Sequence, residues 1–162
     1  MDRRHFCLSL LSSGVALNCS AKLAEAAPPF TVPPTQKIRW NYSLKAAHKI
    51  ALEQDKPLLI VFGASWCTFC HKLERETLGD KRITALIERD FIPVHLDFDR
   101  DAKIAKILEV ERLPCTVILS PQADLLLKHE GFAQYKEYNQ SLHSALEKQA
   151  EIQQVQATET SR

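Results

Sequence analysis

The stretch PLLIVFGASWCTFC, residues 57–70, constrains the fold of this chain more than any other. Pro57 opens a short, partly β-branched apolar run that Gly63 closes. A run of this length between Pro and Gly reads as a strand buried on both faces. Such a strand needs covering elements above and below it. Cys67 and Cys70 follow at once, and Cys70, Leu73 and Thr77 continue on one helical face. The two cysteines therefore stand at a strand-to-helix junction.

The flanking segments supply the covering layers. SLKAAHKIALEQDK carries Leu44, Ala47, Ile50 and Ala51 at helical spacing behind Ser43, a residue suited to capping a helix start. DKRITALIERD predicts a short helix, FIPVHLDF (91–98) a strand with Pro93 near its start, and DAKIAKILEV a helix through Ile104, Ala105 and Leu108. CTVIL and LLLKH are short strands joined by Ser120-Pro121-Gln122-Ala123-Asp124, with proline at a favoured turn position. Tyr138, Leu142, Ala145 and Leu146 mark a last helix. Alternating helices and strands predict a parallel layer, and the closing hairpin adds an antiparallel edge. The expected class is α/β, a central mixed sheet flanked by helices on both faces.

The chain has 162 residues, 45% hydrophobic and 25% charged, which suits one such domain with one core. Its formal net charge is +1 and it has no long basic run, so no nucleic-acid partner is expected. The front end is different in kind. MDRRHFCLSLLSSGVALNCSAKLAEAA has a basic start, an apolar run from Leu8 to Leu17 and the small-residue patch Ala24-Glu25-Ala26. That is the layout of a secretory signal, with cleavage expected after Ala26. The apolar run falls well short of the ~20 residues that cross a bilayer, so no membrane span is expected in the mature chain. Arg3-Arg4-His5-Phe6 resembles a twin-arginine signal, while Asp2 and Cys7 depart from its usual flanks. The twin-arginine and general secretory routes both stay open, and the expected location is exported, periplasmic or extracytoplasmic. Residues 1–26 are thus read as signal, 27–36 as a proline-rich tether, 37–150 as the domain and 151–162 as a flexible polar tail.

Cys7 and Cys19 leave with the signal, and Cys67, Cys70 and Cys115 remain. Three cysteines are too few for a disulfide framework, so the close pair reads as chemical. Spacing alone leaves three readings: a redox pair, half of a metal site, or two small apolar residues. The junction favours the first. At a helix start, free backbone N–H groups and the helix dipole stabilise a thiolate, which lowers the Cys67 pKa from about 8.5. Cys70, one turn on, is close enough to close a small disulfide ring and is less exposed. Trp66 shields the sulfur and shapes a docking surface, to which Phe69 is a second candidate.

Trp66-Cys67-Thr68-Phe69-Cys70 after a buried strand, with Leu113-Pro114 before a later one, resembles the thioredoxin fold family. KPLLIVFGASWCTFCHKLERETL is similar in particular to exported thioredoxin-like domains related to the electron-delivering domain of the transmembrane thiol:disulfide interchange protein. The resemblance implies a thioredoxin-like fold over roughly residues 40–148. It implies a redox-active disulfide Cys67–Cys70, with Cys67 as nucleophile and Cys70 as resolving cysteine. It also implies Pro114 as a cis-proline facing them, with the Leu113 backbone turned outward to pair with a substrate strand. The implied partners are a disulfide-bearing protein substrate and a redox partner protein, with no cofactor, no metal and a monomeric chain.

Three departures from the family pattern bear on function. A buried acid often stands six residues before the first cysteine to serve proton transfer; here that residue is Val61. Glu74 or His71 are candidates to replace it, although each reads first as an exposed helix charge. Thr68-Phe69 places no imidazole between the cysteines, which leans toward reduction rather than oxidation. Cys115 directly follows the proline and reads as a small buried strand residue. Of the other histidines, His95 is expected at the core edge, and His48, His129 and His143 at the surface.

Two rival classes complete the reading. Cys67, Cys70 and His71, with Cys115, form a possible soft ligand set for copper or zinc. Against it, the chain has no second Cys-x-x-Cys or His pair, and adjacent Cys70 and His71 point to different helix faces. A non-catalytic thioredoxin-like binding module does not need both cysteines.

Overall fold

The computed structural model describes residues 37–160, so the expected signal peptide and the whole of the tether lie outside the described residues. β1 (Leu58–Gly63) is buried at every position. Alternation sends Leu58, Ile60 and Phe62 into one core cluster and Leu59 and Val61 into another. β2 (Ile92–Asp97) runs parallel to it, with Val61 opposite His95 and Gly63 opposite Asp97. β3 (Cys115–Leu119) pairs antiparallel with β1 on the other side, and β4 (Leu125–Glu130) pairs antiparallel with β3. The order β2-β1-β3-β4 gives the described residues the mixed sheet the sequence predicts.

The helices are α1 (Leu44–Gln54), α2 (Thr68–Lys72) and α3 (Lys81–Asp90). They continue with α4 (Ala102–Ile107) and α5 (Tyr135–Thr160). Ala47 and Ala51 of α1 and Ala105 of α4 join the cluster that holds Phe62 and Leu96. Ile83 and Ile87 of α3 and Tyr138 and Leu142 of α5 join the cluster that holds Val61 and Ile118. Both faces of the sheet are therefore covered. Each fully buried Leu, Ile or Phe is worth about 1.5–3 kcal/mol, so two-sided burial makes β1 the firmest support a following loop can have. The cysteine pair is attached to that support.

Local chemistry sets the element ends. Ser43 caps α1 as expected, its hydroxyl accepting from the Ala46 N–H. In the hairpin the Ala123 N–H donates to Ser120 O at 2.9 Å, and the Ser120 hydroxyl accepts from the Asp124 N–H. Two features differ from the sequence expectation. The helix that begins at Thr68 widens into a π-helical turn over Leu73–Thr77, closed by the Leu78 N–H on Leu73 O at 2.9 Å. Cys70, Leu73 and Thr77 are nonetheless all buried, and the Thr77 hydroxyl donates to Ala133 O. A side chain at Gly79 would stand 2.7 Å from Arg75 O, so only glycine lets the chain leave the turn there.

The second difference is at the far end. α5 continues to Thr160, past residue 150 where the polar composition suggested the domain ends. Ile152 packs against the core, and the Gln, Ala and Glu residues that follow extend a helix already nucleated. No helix among the described residues is long and apolar enough to cross a membrane.

Candidate active site

Gly63 ends β1, and the chain turns through Ala64 and Ser65 into α2, with the Cys67 N–H donating to Ala64 O at 3.0 Å. Cys67 is the N-cap of α2, and its Sγ accepts the Cys70 N–H at 3.1 Å. The two cysteines form a disulfide, with Cα atoms 5.3 Å apart. Both are largely covered, Cys67 at 6% and Cys70 at 3% exposure. Ala64 completes a small cluster with them, against which Phe98 and Leu113 pack. The Leu113–Pro114 peptide bond is cis, and Pro114 O accepts the Gly131 N–H at 2.7 Å.

Aromatic surface surrounds this covered pair. Trp66 is 63% and Phe69 60% exposed. The Trp66 indole N–H donates to the Asp99 carboxylate at 2.8 Å, which fixes the ring's orientation while leaving its face open. Sequence reading missed Asp99 and Phe98 as site residues, since both lie in the turn just after β2 and reach the site only because β2 runs beside β1. The structure thus gathers Trp66, Cys67, Phe69, Cys70 and Leu113 around one turn, with Pro114 next to Leu113 across the cis bond.

The remaining candidates separate. His71 turns back to Ser65 O at 3.1 Å, with its other ring nitrogen 3.9 Å from Glu74. Cys115 is fully buried in the cluster on the α1 side of the sheet. Burial, with the Glu130 charge second, pushes its thiol up to about 11. Among the described residues no group of three or more His, Cys, Asp or Glu side chains is arranged to hold a metal ion. His48, expected at the surface, is half-buried, with its Nε2 2.9 Å from Pro121 O. His129 is likewise half-buried, His143 is exposed, and His95 sits at the core edge as expected. Glu74 is not a free helix charge, because its carboxylate lies 3.0 Å from His95 Nε2.

A family model described as thioredoxin-like domain matches residues 44–146. A mitochondrial thioredoxin domain-containing protein of Dictyostelium discoideum is 31% identical over 100 residues, which is 60% of this chain and 71% of that protein. Human spermatogenesis-associated protein 20 is 30% identical over 57 residues, 35% of this chain but only 7% of that protein's length. Among solved structures, a thioredoxin from Thermus thermophilus superposes with a TM-score of 0.63 at 21% identity, over 68% of this chain and 88% of that one.

Proposed function

The chain belongs to the thioredoxin-like domain family, and from that premise we propose that it is an exported thiol-disulfide oxidoreductase working as a reductase. The observation that carries this reading is the seat of Cys67, which caps a helix, is bonded to Cys70 and lies beneath exposed Trp66 and Phe69. In the reduced form the Cys67 thiolate attacks one sulfur of a protein disulfide and expels the other as a thiolate. Cys70 then attacks Cys67 Sγ, the mixed disulfide breaks, and the substrate leaves with both sulfurs reduced. A redox partner protein restores the dithiol, so the cycle needs no cofactor. Trp66 and Phe69 are the docking residues, Leu113 offers its main chain to the substrate, Pro114 faces the pair, and the chain acts as a monomer.

The direction follows from charge. Thr68 and Phe69 bring none, and His71 is engaged by Ser65 O and Glu74. The Cys67 thiolate then has mainly the helix terminus to stabilise it. The couple lies nearer to about −270 mV, the thioredoxin value, than to the about −120 mV of a strong oxidant. Export rests on the basic start, the short apolar run and Ala24-Glu25-Ala26, with a mature chain beginning at Ala27.

Insulin-type disulfide reduction tests the chemistry. Cys67→Ser abolishes turnover, whereas Cys70→Ser still attacks and accumulates a mixed disulfide. Turnover by Cys67→Ser equal to that of the unaltered protein overturns the assignment. Equilibration in glutathione buffers gives the potential, and a pair that stays reduced where glutathione is oxidised reverses the direction. N-terminal sequencing from the native host checks the cleavage after Ala26.

A further inference from the structure

The resolving step requires Cys70 to lose its proton, and Val61 stands where the resemblance leads one to expect a strand carboxylate. Val61 is buried and apolar, so it takes no proton. The neighbouring register position provides another route. His95 lies directly across from Val61 on β2. Its Nε2 is 3.0 Å from Glu74, which is four residues beyond Cys70 on the continuing helical turn. A methyl group at Gly63 would meet both His95 Nε2, at 3.5 Å, and Cys70 Cβ, at 3.7 Å. The imidazole edge and the base of the Cys70 side chain therefore border the same methyl-sized space over Gly63.

Resting on the oxidoreductase reading, we propose that the Glu74–His95 pair is the proton acceptor for Cys70, reached across the open space at Gly63. With its hydrogen on Nε2, neutral His95 donates to the Glu74 carboxylate, and the pair carries one negative charge. Cys70 S–H gives its proton to the Glu74 carboxylate that the His95 Nε2–H holds, the pair becomes a neutral imidazole–carboxylic acid couple, and Cys70 is left as thiolate. That thiolate attacks Cys67 Sγ in the mixed disulfide. The Cys67–Cys70 bond forms, the bond from Cys67 to the substrate sulfur breaks, and the substrate thiolate leaves. The proton then passes from the pair to solvent or to the departing thiolate, for Glu74 is 43% exposed. Electrons balance, as the dithiol is oxidised and the substrate disulfide reduced.

The surroundings suit a group that cycles its proton. His95 is 23% exposed and carries the Trp40 ring edge-on at 5.6 Å and the Tyr42 ring at 6.3 Å. The groups facing the pair are Cys70 from α2, His71 on the far side of Glu74, the Tyr42 phenol, and Lys37, which lines a cavity with Glu74 and Trp40. None of these gives His95 a closer charged partner than Glu74 among the contacts described.

Stopped-flow reaction of the fully reduced protein with a nitrobenzoate disulfide tests the proposal, because each attack releases one coloured thiolate. The first release, bimolecular, reports Cys67, and the second, unimolecular, reports resolution by Cys70. Glu74→Gln removes the accepting carboxylate while keeping a hydrogen-bond partner for His95. Gly63→Ala fills the space with contacts of ordinary length on extended backbone, so it keeps the fold. Both variants are expected to slow the second release by at least about tenfold at neutral pH and to leave the first within about twofold. The deficit should close as the pH rises past the ordinary thiol range near about 8.5, where hydroxide deprotonates Cys70 unaided. A second phase with unchanged rate and pH profile in both variants overturns the relay. Absence of both phases in the unaltered protein instead overturns the oxidoreductase reading itself.

Discussion

Cys115 shows how one residue's surroundings decide whether a thiol reacts. It is fully buried, and burial together with the Glu130 charge lifts its pKa to about 11, so at neutral pH it remains a thiol shielded from reagents. Alkylating the reduced native protein near pH ~8, just below the ordinary thiol pKa, should modify Cys67 and leave Cys115 untouched. In denaturant Cys115 should react as well. Mass spectrometry of the labelled chain reads both outcomes, and rapid native labelling of Cys115 contradicts its burial. The sequence disclosed this residue as a small strand side chain from its local context, Pro114 before it and the apolar Val117–Leu119 run just beyond Thr116. It disclosed Cys67 and Cys70 for the same reason, since the strand, the turn and the spacing lie within one short segment. Glu74–His95 and Trp66–Asp99 were not legible. They join residues 21 and 33 positions apart, respectively, and both depend on where β2 runs beside β1 rather than on local pattern.

Among the elements, α3 starts on a cap whose strength can be measured. Asp80 accepts the Arg82 N–H at 2.8 Å and also holds the Arg82 guanidinium. The Arg82 side-chain hydrogen bond, chief among several interactions, keeps the Asp80 carboxyl below the usual carboxylate range. A carboxylate whose folded pKa is depressed stabilises the fold above its unfolded pKa of about 3.9, and that stability is lost as pH falls through the folded value. Asp80→Ala should therefore cost about 1 kcal/mol in urea unfolding at neutral pH, and the difference should fade in acid. A constant difference across that range rules out the charged cap. The hairpin gives the opposite case. Ala123 sits at φ 71°, where a Cβ is strained, so Ala123→Gly should raise stability by roughly 0.5–1 kcal/mol. Equal or lower stability of that variant removes the strain argument. Helix and strand order was legible because hydrophobic period is local. The π turn was not, because it answers to the buried Thr77 bond to Ala133, made across 56 residues. The last turns of α5 escaped notice because helix propagation needs no apolar stripe once the preceding turns are anchored.

At the scale of the whole molecule, the redox state of one pair becomes a property of the entire fold. A single domain unfolds cooperatively, so any difference in stability between its oxidised and reduced forms must equal the difference in disulfide potential between its folded and unfolded chains. Two opposed effects set the sign. The disulfide closes a ring across a separation of three residues and restricts the unfolded chain, which is worth at most about 2 kcal/mol for so small a loop. Reduction releases that restriction, and the folded state recovers the loss only as far as it stabilises the Cys67 thiolate. Here the recovery is small, because the Cys70 N–H is the one hydrogen-bond donor described on the sulfur and neither intervening residue is charged. The oxidised protein should thus be the more stable form, by about 1–2 kcal/mol, and should melt a few degrees above the reduced one. Parallel thermal unfolding with and without a strong dithiol reductant, followed by circular dichroism, measures this directly. A reduced form that melts higher means the fold favours the thiolate, as in oxidants, and the reductase direction proposed above then fails while the cysteine chemistry stands.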